Sequence, residues 1–184
     1  MYASQIEKII LRDPLMQSQY QGIYAKDTLP KLTKYGGYIA NTDESTDIGE
    51  HWVLTYVAER ELYFIDSFAE APMHYGKEFE NWIKSYPGKI KQLHQPLQHP
   101  LSHFCGLYVL FFFYHLSRNY SLYRILKYFS RNFLQNDKNV VAFSKKKFGK
   151  FKPIFQRGAG ASSRLYKEKL NKDFSLLLFK HRTK

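Results

Sequence analysis

The chain has 184 residues, 44% hydrophobic and 17% aromatic, enough for one domain with a substantial core. Its single cysteine, Cys105, excludes an internal disulfide framework and fits a reducing intracellular setting. The net charge of +12 is lopsided: residues 1–117 hold 10 Lys+Arg against 13 Asp+Glu, and residues 118–184 hold 18 against 3. Such a basic third favours a polyanion partner through counterion release, the plainer alternative being a solvated basic surface.

The opening 1-MYASQIEKIILRDP-14 is not expected to be a signal peptide, since acidic residues interrupt it and no long apolar run follows. Residues 4–12 predict a short helix, capped by Ser4 and ended by Asp13-Pro14. A strand is expected around 35-YGGYIANT-42, then an acidic loop, 43-DESTDIGE-50. The segments 51-HWVLTYVA-58 and 61-ELYFIDSF-68 read as two strands joined by a turn near Glu59-Arg60, given their β-branched and aromatic content. Phe79, Trp82 and Ile83 mark an amphipathic helix over 76–86, which Pro87-Gly88 breaks, and 89-KIKQL-93 suits another strand. Residues 105–117 are apolar throughout and predict a buried helix. The apolar run from Cys105 to Tyr114 is too short for a bilayer, which needs about 20 residues. A further helix is predicted over 121–133, and beyond Asn136 the pattern weakens. Residues 157-RGAGASSR-164 look like a linker, and 174-FSLLLFKHR-182 is apolar enough to dock. Helix, clustered strands, then helices give an α+β fold, with residues 1–156 as the domain and 157–184 as linker and basic tail.

Cys105 admits three readings. It can be a small hydrophobe in a helix. It can join His94, His99 and His103 in a metal site, although no paired Cys or His spacing supports one. Or it can be a nucleophile, which needs a base, a group that orients the base, and donors for an oxyanion. The predicted helix start beneath Cys105 lowers a thiol pKa, and Gly106 leaves room for a substrate backbone. Pairing the two strands through the Glu59-Arg60 turn sets position 51 opposite 67 or 68, which brings Asp66 within side-chain reach of His51. Gln98, in a loop seven residues before Cys105, carries an amide NH2 able to donate to an oxyanion.

His51-Trp52, 64-FIDSF-68, Gln98 and 104-FCGLY-108, in that order and spacing, resemble adenain, the adenovirus-type cysteine endopeptidase, and more widely the Ulp proteases that remove SUMO. The likeness runs over residues 10–118, including 20-YQGIY-24 and 41-NT-42. It implies a papain-like α+β fold with a mixed sheet and the nucleophile at a helix N-terminus. Cys105 would be the nucleophile, His51 its base and later acid, and Asp66 the group that orients His51. Gln98 and the Cys105 N–H would form the oxyanion hole, and Gly49, Glu50, Trp52 and Gly106 would meet substrate. No cofactor is required for the chemistry. The resemblance further implies a protein that matures viral capsid or core precursors in the virion and host nucleus, expected to be a monomer crossing no membrane; residues 118–184 fall outside the likeness, and DNA binding by them is expected on their charge. Two further departures stand out. Asp66 is the Ulp-like choice where adenain of mammalian viruses has Glu. The disulfide that ties adenain to its activating peptide also cannot form if Cys105 is the nucleophile, so an activating peptide would be held non-covalently. A Ulp-like isopeptidase, or a basic DNA-binding virion protein with relic motifs, are the alternatives.

Overall fold

The computed structural model describes residues 1–149, so the linker expected at 157–164, the tail and the domain boundary at 156 lie outside the described residues. The elements are α1 (Ala3–Ile10), α2 (Pro14–Ser18), β1 (Tyr20–Tyr24), β2 (Gly36–Asn41), β3 (Trp52–Val57), β4 (Glu61–Ile65), α3 (Lys77–Lys84), β5 (Lys89–Gln92), α4 (Cys105–Leu116), α5 (Leu122–Leu126) and α6 (Phe133–Phe148). Short 3-10 turns lie at Lys26–Thr28 and Pro72–Tyr75.

The strands form one sheet in the order β1-β2-β3-β4-β5. The two outer pairings are parallel, and β3 is antiparallel to both of its neighbours. This is the expected α+β class with a mixed sheet. Central β3 is buried along its whole length, so its sequence WVLTYV shows no alternation with polar residues. Trp52, Leu54 and Tyr56 face the layer of α1 and α4, while Val53 and Val57 face Phe79, Trp82 and Ile83 of α3. The sheet is therefore covered on both faces. All but one of the residues of α4 are buried, because β3 lies on one side of it and α6 on another. Gly37 of β2 lets α4 come close: a Cβ there would lie 2.7 Å from the Phe113 ring. Among the described residues, no helix is long and apolar enough to cross a membrane.

Several expectations need correction. Ser4 lies inside α1 rather than capping it, and Gln5 Oε1 instead accepts from the Tyr2 N–H at 3.0 Å. Asp13-Pro14 ends α1 and also opens α2, because Asp13 Oδ1 accepts from the Leu15 and Met16 N–H groups, each at 3.1 Å. The helix expected over 121–133 stops at Leu126. Beyond it, the Ser130 N–H bonds to Asn136 Oδ1 at 2.9 Å, and Phe129 stacks on Phe112 with ring centroids 5.7 Å apart. A longer helix, α6, then follows, capped by Asn132, whose Oδ1 accepts from the Gln135 N–H at 3.1 Å. The buried face of α6 is Asn136, Asp137, Val140 and Ser144. Three of these four are polar, so no hydrophobic period marks the helix in the sequence.

Candidate active site

β3 and β4 pair with Leu54 opposite Ile65 and Val57 opposite Leu62. Continued past the strand ends, this register puts His51 opposite Phe68 and diagonal to Asp66 on the same face. The His51 Nε2 to Asp66 Oδ1 distance is 2.8 Å, with both residues buried. The other ring nitrogen, Nδ1, is thus left for Cys105, and the two groups shift each other's pKa, His51 upward and Cys105 downward. Cys105 is the first residue of α4, where unpaired N–H groups and the helix dipole favour an anion.

The Asp66 carboxylate is fully engaged. Oδ1 also accepts from the Phe68 N–H at 2.9 Å, and Oδ2 accepts from the Tyr75 hydroxyl. Phe68 and Tyr75 also flank the imidazole, with centroids 4.9 and 5.9 Å from it. Both residues belong to the site, yet sequence reasoning singled out neither. Phe68 was reachable from the strand register. Tyr75 comes from the 3-10 turn after β4, which leaves no periodic signal.

Burial opposes charge on every member of this group, and mutual pairing outweighs it. Burial would lower the His51 pKa, but Asp66 and Cys105 push it up to about 10. Burial would raise the Asp66 carboxyl, but His51, Tyr75 and the Phe68 N–H hold it below its usual range. For Cys105, burial would raise the thiol, but His51, the Trp52 backbone N–H and the charge of the N-terminal amine bring it below its ordinary value. All three shifts run in the direction that favours an imidazolium–thiolate pair backed by a carboxylate.

Gln98 is 1% exposed and sits in the loop seven residues before Cys105, bonded to the residue after Asp66. Ser67, the residue after Asp66, donates to Gln98 Oε1 at 2.7 Å, and Gln98 Nε2 donates to the carbonyl of Ser102, three residues before Cys105, at 2.8 Å. The second Nε2 hydrogen has no partner among the described residues.

The residues expected to meet substrate are placed differently from one another. Gly49 has φ +80°, and a Cβ there would lie 2.6 Å from Asn41 Nδ2, so it shapes the loop before His51. Glu50 is exposed in that loop, its N–H donating to Asp43 Oδ2. Trp52 is buried in the core and donates from Nε1 to the Met1 carbonyl at 2.9 Å. Beside Gly106, Met1 and Ile6 side-chain atoms lie 3.3 Å from where a Cβ would be. Its smallness therefore admits the N-terminal segment and α1, where an approaching substrate was expected. Among the described residues, no three His, Cys, Asp or Glu side chains gather as a metal-binding group. Cys105 interacts electrostatically with His51, and His99 Nδ1 accepts from the Leu101 N–H at 3.2 Å.

No protein-family model and no curated protein matches the sequence. Solved structures do match. The crystal structure of the ASFV pS273R protease superposes with a TM-score of 0.53 at 14% identity, covering 83% of this chain and 68% of that one. The SUMO protease Ulp1 matches with a TM-score of 0.42 at 15% identity over 78% of this chain and 76% of that one. ChlaDub1 from Chlamydia trachomatis matches with a TM-score of 0.38 at 18% identity over 52% and 44%. The likeness to pS273R carries the fold argument, and at such identity it speaks for the fold alone. The chain therefore shares the α+β fold of the pS273R protease, and it gathers Cys105, His51 and Asp66 at one end of its sheet.

Proposed function

We propose that this chain is an adenain-like cysteine endopeptidase that matures capsid or core precursor polypeptides of a virus or virus-like element. The observation that carries the reading is the buried His51, hydrogen-bonded to Asp66 and electrostatically paired with Cys105 at the start of α4. In the reaction, the Cys105 thiolate attacks the scissile carbonyl carbon, and the oxygen takes the negative charge beside the Gln98 amide and the Cys105 N–H. The protonated His51 gives its proton to the leaving amine as the C–N bond breaks, leaving a thioester. His51 then takes a proton from water, whose oxygen attacks the thioester, and Cys105 is released as the thiolate. Asp66 keeps His51 oriented and its positive form favoured throughout.

The test compares a glycine-containing fluorogenic peptide amide with fluorogenic C-terminal conjugates of SUMO and ubiquitin. Turnover of the peptide with little of the conjugates is expected. Turnover confined to the conjugates would make the chain a Ulp-like isopeptidase, a reading that Asp66 already favours over Glu. No turnover, together with no labelling of Cys105 by a mild electrophile at pH 6–7, would leave a basic virion protein without protease activity.

DNA is the proposed second partner, held by the basic third, with virion and host nucleus as the setting and the monomer as the working form. Within the described part of that region, α5, α6 and the turn between them carry Arg124, Lys127, Arg131, Lys138 and Lys145 to Lys147. Lys127 lies over the ring of exposed Tyr123, 4.6 Å from its centroid. About five phosphate contacts would make log K fall with log salt at a slope of about −4.5. Fluorescence anisotropy with a duplex across a salt series measures it, and a slope near zero would contradict DNA binding by this region. An activating peptide, if one is used, would be bound without a disulfide.

A further inference from the structure

Gln98 sits in the irregular segment between β5 and α4, a poor place from which to aim a donor unless other groups hold it. The segment is held from two sides. The Ser67 carbonyl accepts from the N–H groups of Leu97 and Gln98 at 2.8 and 3.1 Å. The carbonyl of the same Leu97–Gln98 peptide accepts from Asn136 Nδ2 of α6 at 2.9 Å, and the Tyr108 hydroxyl lies 3.1 Å from it. Asn136 is completely buried, and its amide is fully used. Its second N–H goes to the Ser130 carbonyl, and its Oδ1 accepts from the Ser130 N–H, both at 2.9 Å. Beside it, Asp137 Oδ1 accepts from the Tyr108 hydroxyl at 2.8 Å. The Gln98 side chain has its own hold, since the Ser102 carbonyl can only accept and so fixes which end of the amide is NH2. The Ser67 hydroxyl meanwhile occupies the other end.

We propose that Ser67 and Asn136 are positioning residues for Gln98: Ser67 fixes its side-chain amide and Asn136 the peptide that precedes it. The free amide N–H is thereby aimed where the oxyanion develops. This rests on the reading of Gln98 as oxyanion donor. It also gives the last third of the chain a part in the reaction that is independent of its charge, because α6 supplies half of the clamp. Loosening either hold leaves the Cys105–His51–Asp66 group untouched but lets the donor wander. An oxyanion donor must sit at about 2.7–3.1 Å from the oxyanion, so the loss appears in kcat.

The test uses the full chain and a fluorogenic peptide amide that the wild type turns over. Gln98→Ala should lower kcat about 10²–10³-fold. Ser67→Ala removes one oxygen atom and should lower kcat about tenfold with KM within about twofold. In the Gln98→Ala background, Ser67→Ala should change kcat less than about twofold, since it then has no donor to hold. Alkylation of Cys105 by iodoacetamide, which builds no oxyanion, should keep its wild-type rate in all three. Asn136→Ala, assayed at a temperature where its circular dichroism matches the wild type, should follow the same pattern. Wild-type kcat in Ser67→Ala would overturn the proposal while leaving Gln98 as donor. So would an undiminished effect in the Gln98→Ala background, or an alkylation rate that falls together with kcat. Wild-type kcat in Gln98→Ala would instead remove the oxyanion reading itself and the positioning role with it.

Discussion

Replacing Cys105 by serine should reduce peptide turnover by roughly 10⁴-fold or more while leaving the fold intact. The thiol sits below its ordinary pKa because His51, the Trp52 N–H and the start of α4 all favour the anion against the cost of burial. A serine hydroxyl ionises far above the thiol range, so the same surroundings leave it neutral and a weak nucleophile. Serine is close to cysteine in size, and the position is only 6% exposed, so the expected cost is a modest one of about 1 kcal/mol. Turnover with the fluorogenic peptide, beside a thermal melt, checks both halves. Retained proteolysis in a folded Cys105→Ser protein would remove Cys105 as the nucleophile.

The second large effect is expected at Asp66. Asp66→Asn keeps an oxygen that can accept from His51 but removes the negative charge. That charge, after the opposing pull of burial, is the largest influence raising the His51 pKa to about 10. Without it the His51 pKa falls, the imidazolium is less favoured, and the Cys105 thiol loses part of the positive charge that depresses its own pKa. The alkylation profile of Cys105 should therefore move to higher pH, and kcat at neutral pH should fall by about 10²-fold. Asn also presents NH2 toward the Tyr75 hydroxyl or the Phe68 N–H, where the carboxylate accepted from both. An unchanged alkylation profile would mean that Asp66 does not tune the pair. In the wild type, activity should persist on the alkaline side until pH approaches about 10, where His51 loses the proton that the leaving amine needs.

The site was legible in the sequence to the extent that its parts sit on regular elements. His51 and Asp66 flank a hairpin with a short turn, and a register read from that turn places them diagonally without any knowledge of the third dimension. Cys105 was legible because a uniformly apolar helix begins there. Tyr75 was hidden, since a 3-10 turn has no repeat and its hydroxyl reaches back to Asp66 only once the chain has folded. β1 also went unassigned as a strand. It is an edge strand half-buried along its length, with a register shift between Tyr20 and Gly22, so it shows no alternation. α6 was hidden for the opposite reason. Its inward face carries Asn136 and Asp137, which bond to the loop at Leu97 and to Tyr108, so a buried face reads as polar. Gly106 shows the limit of local reasoning, because the space beside a glycine can be filled by a segment remote in sequence, here Met1 and Ile6.

The central claim is that Cys105 and His51 form a thiolate–imidazolium pair ready for nucleophilic attack. With one cysteine in the chain, intact mass after timed exposure to iodoacetamide reports that thiol alone. The alkylation rate across pH 4–10 should approach its plateau at lower pH than for an ordinary thiol, whose pKa is about 8.5. A rate that rises only through pH 8–9, as for an unassisted thiol, would contradict the pair and the function built on it.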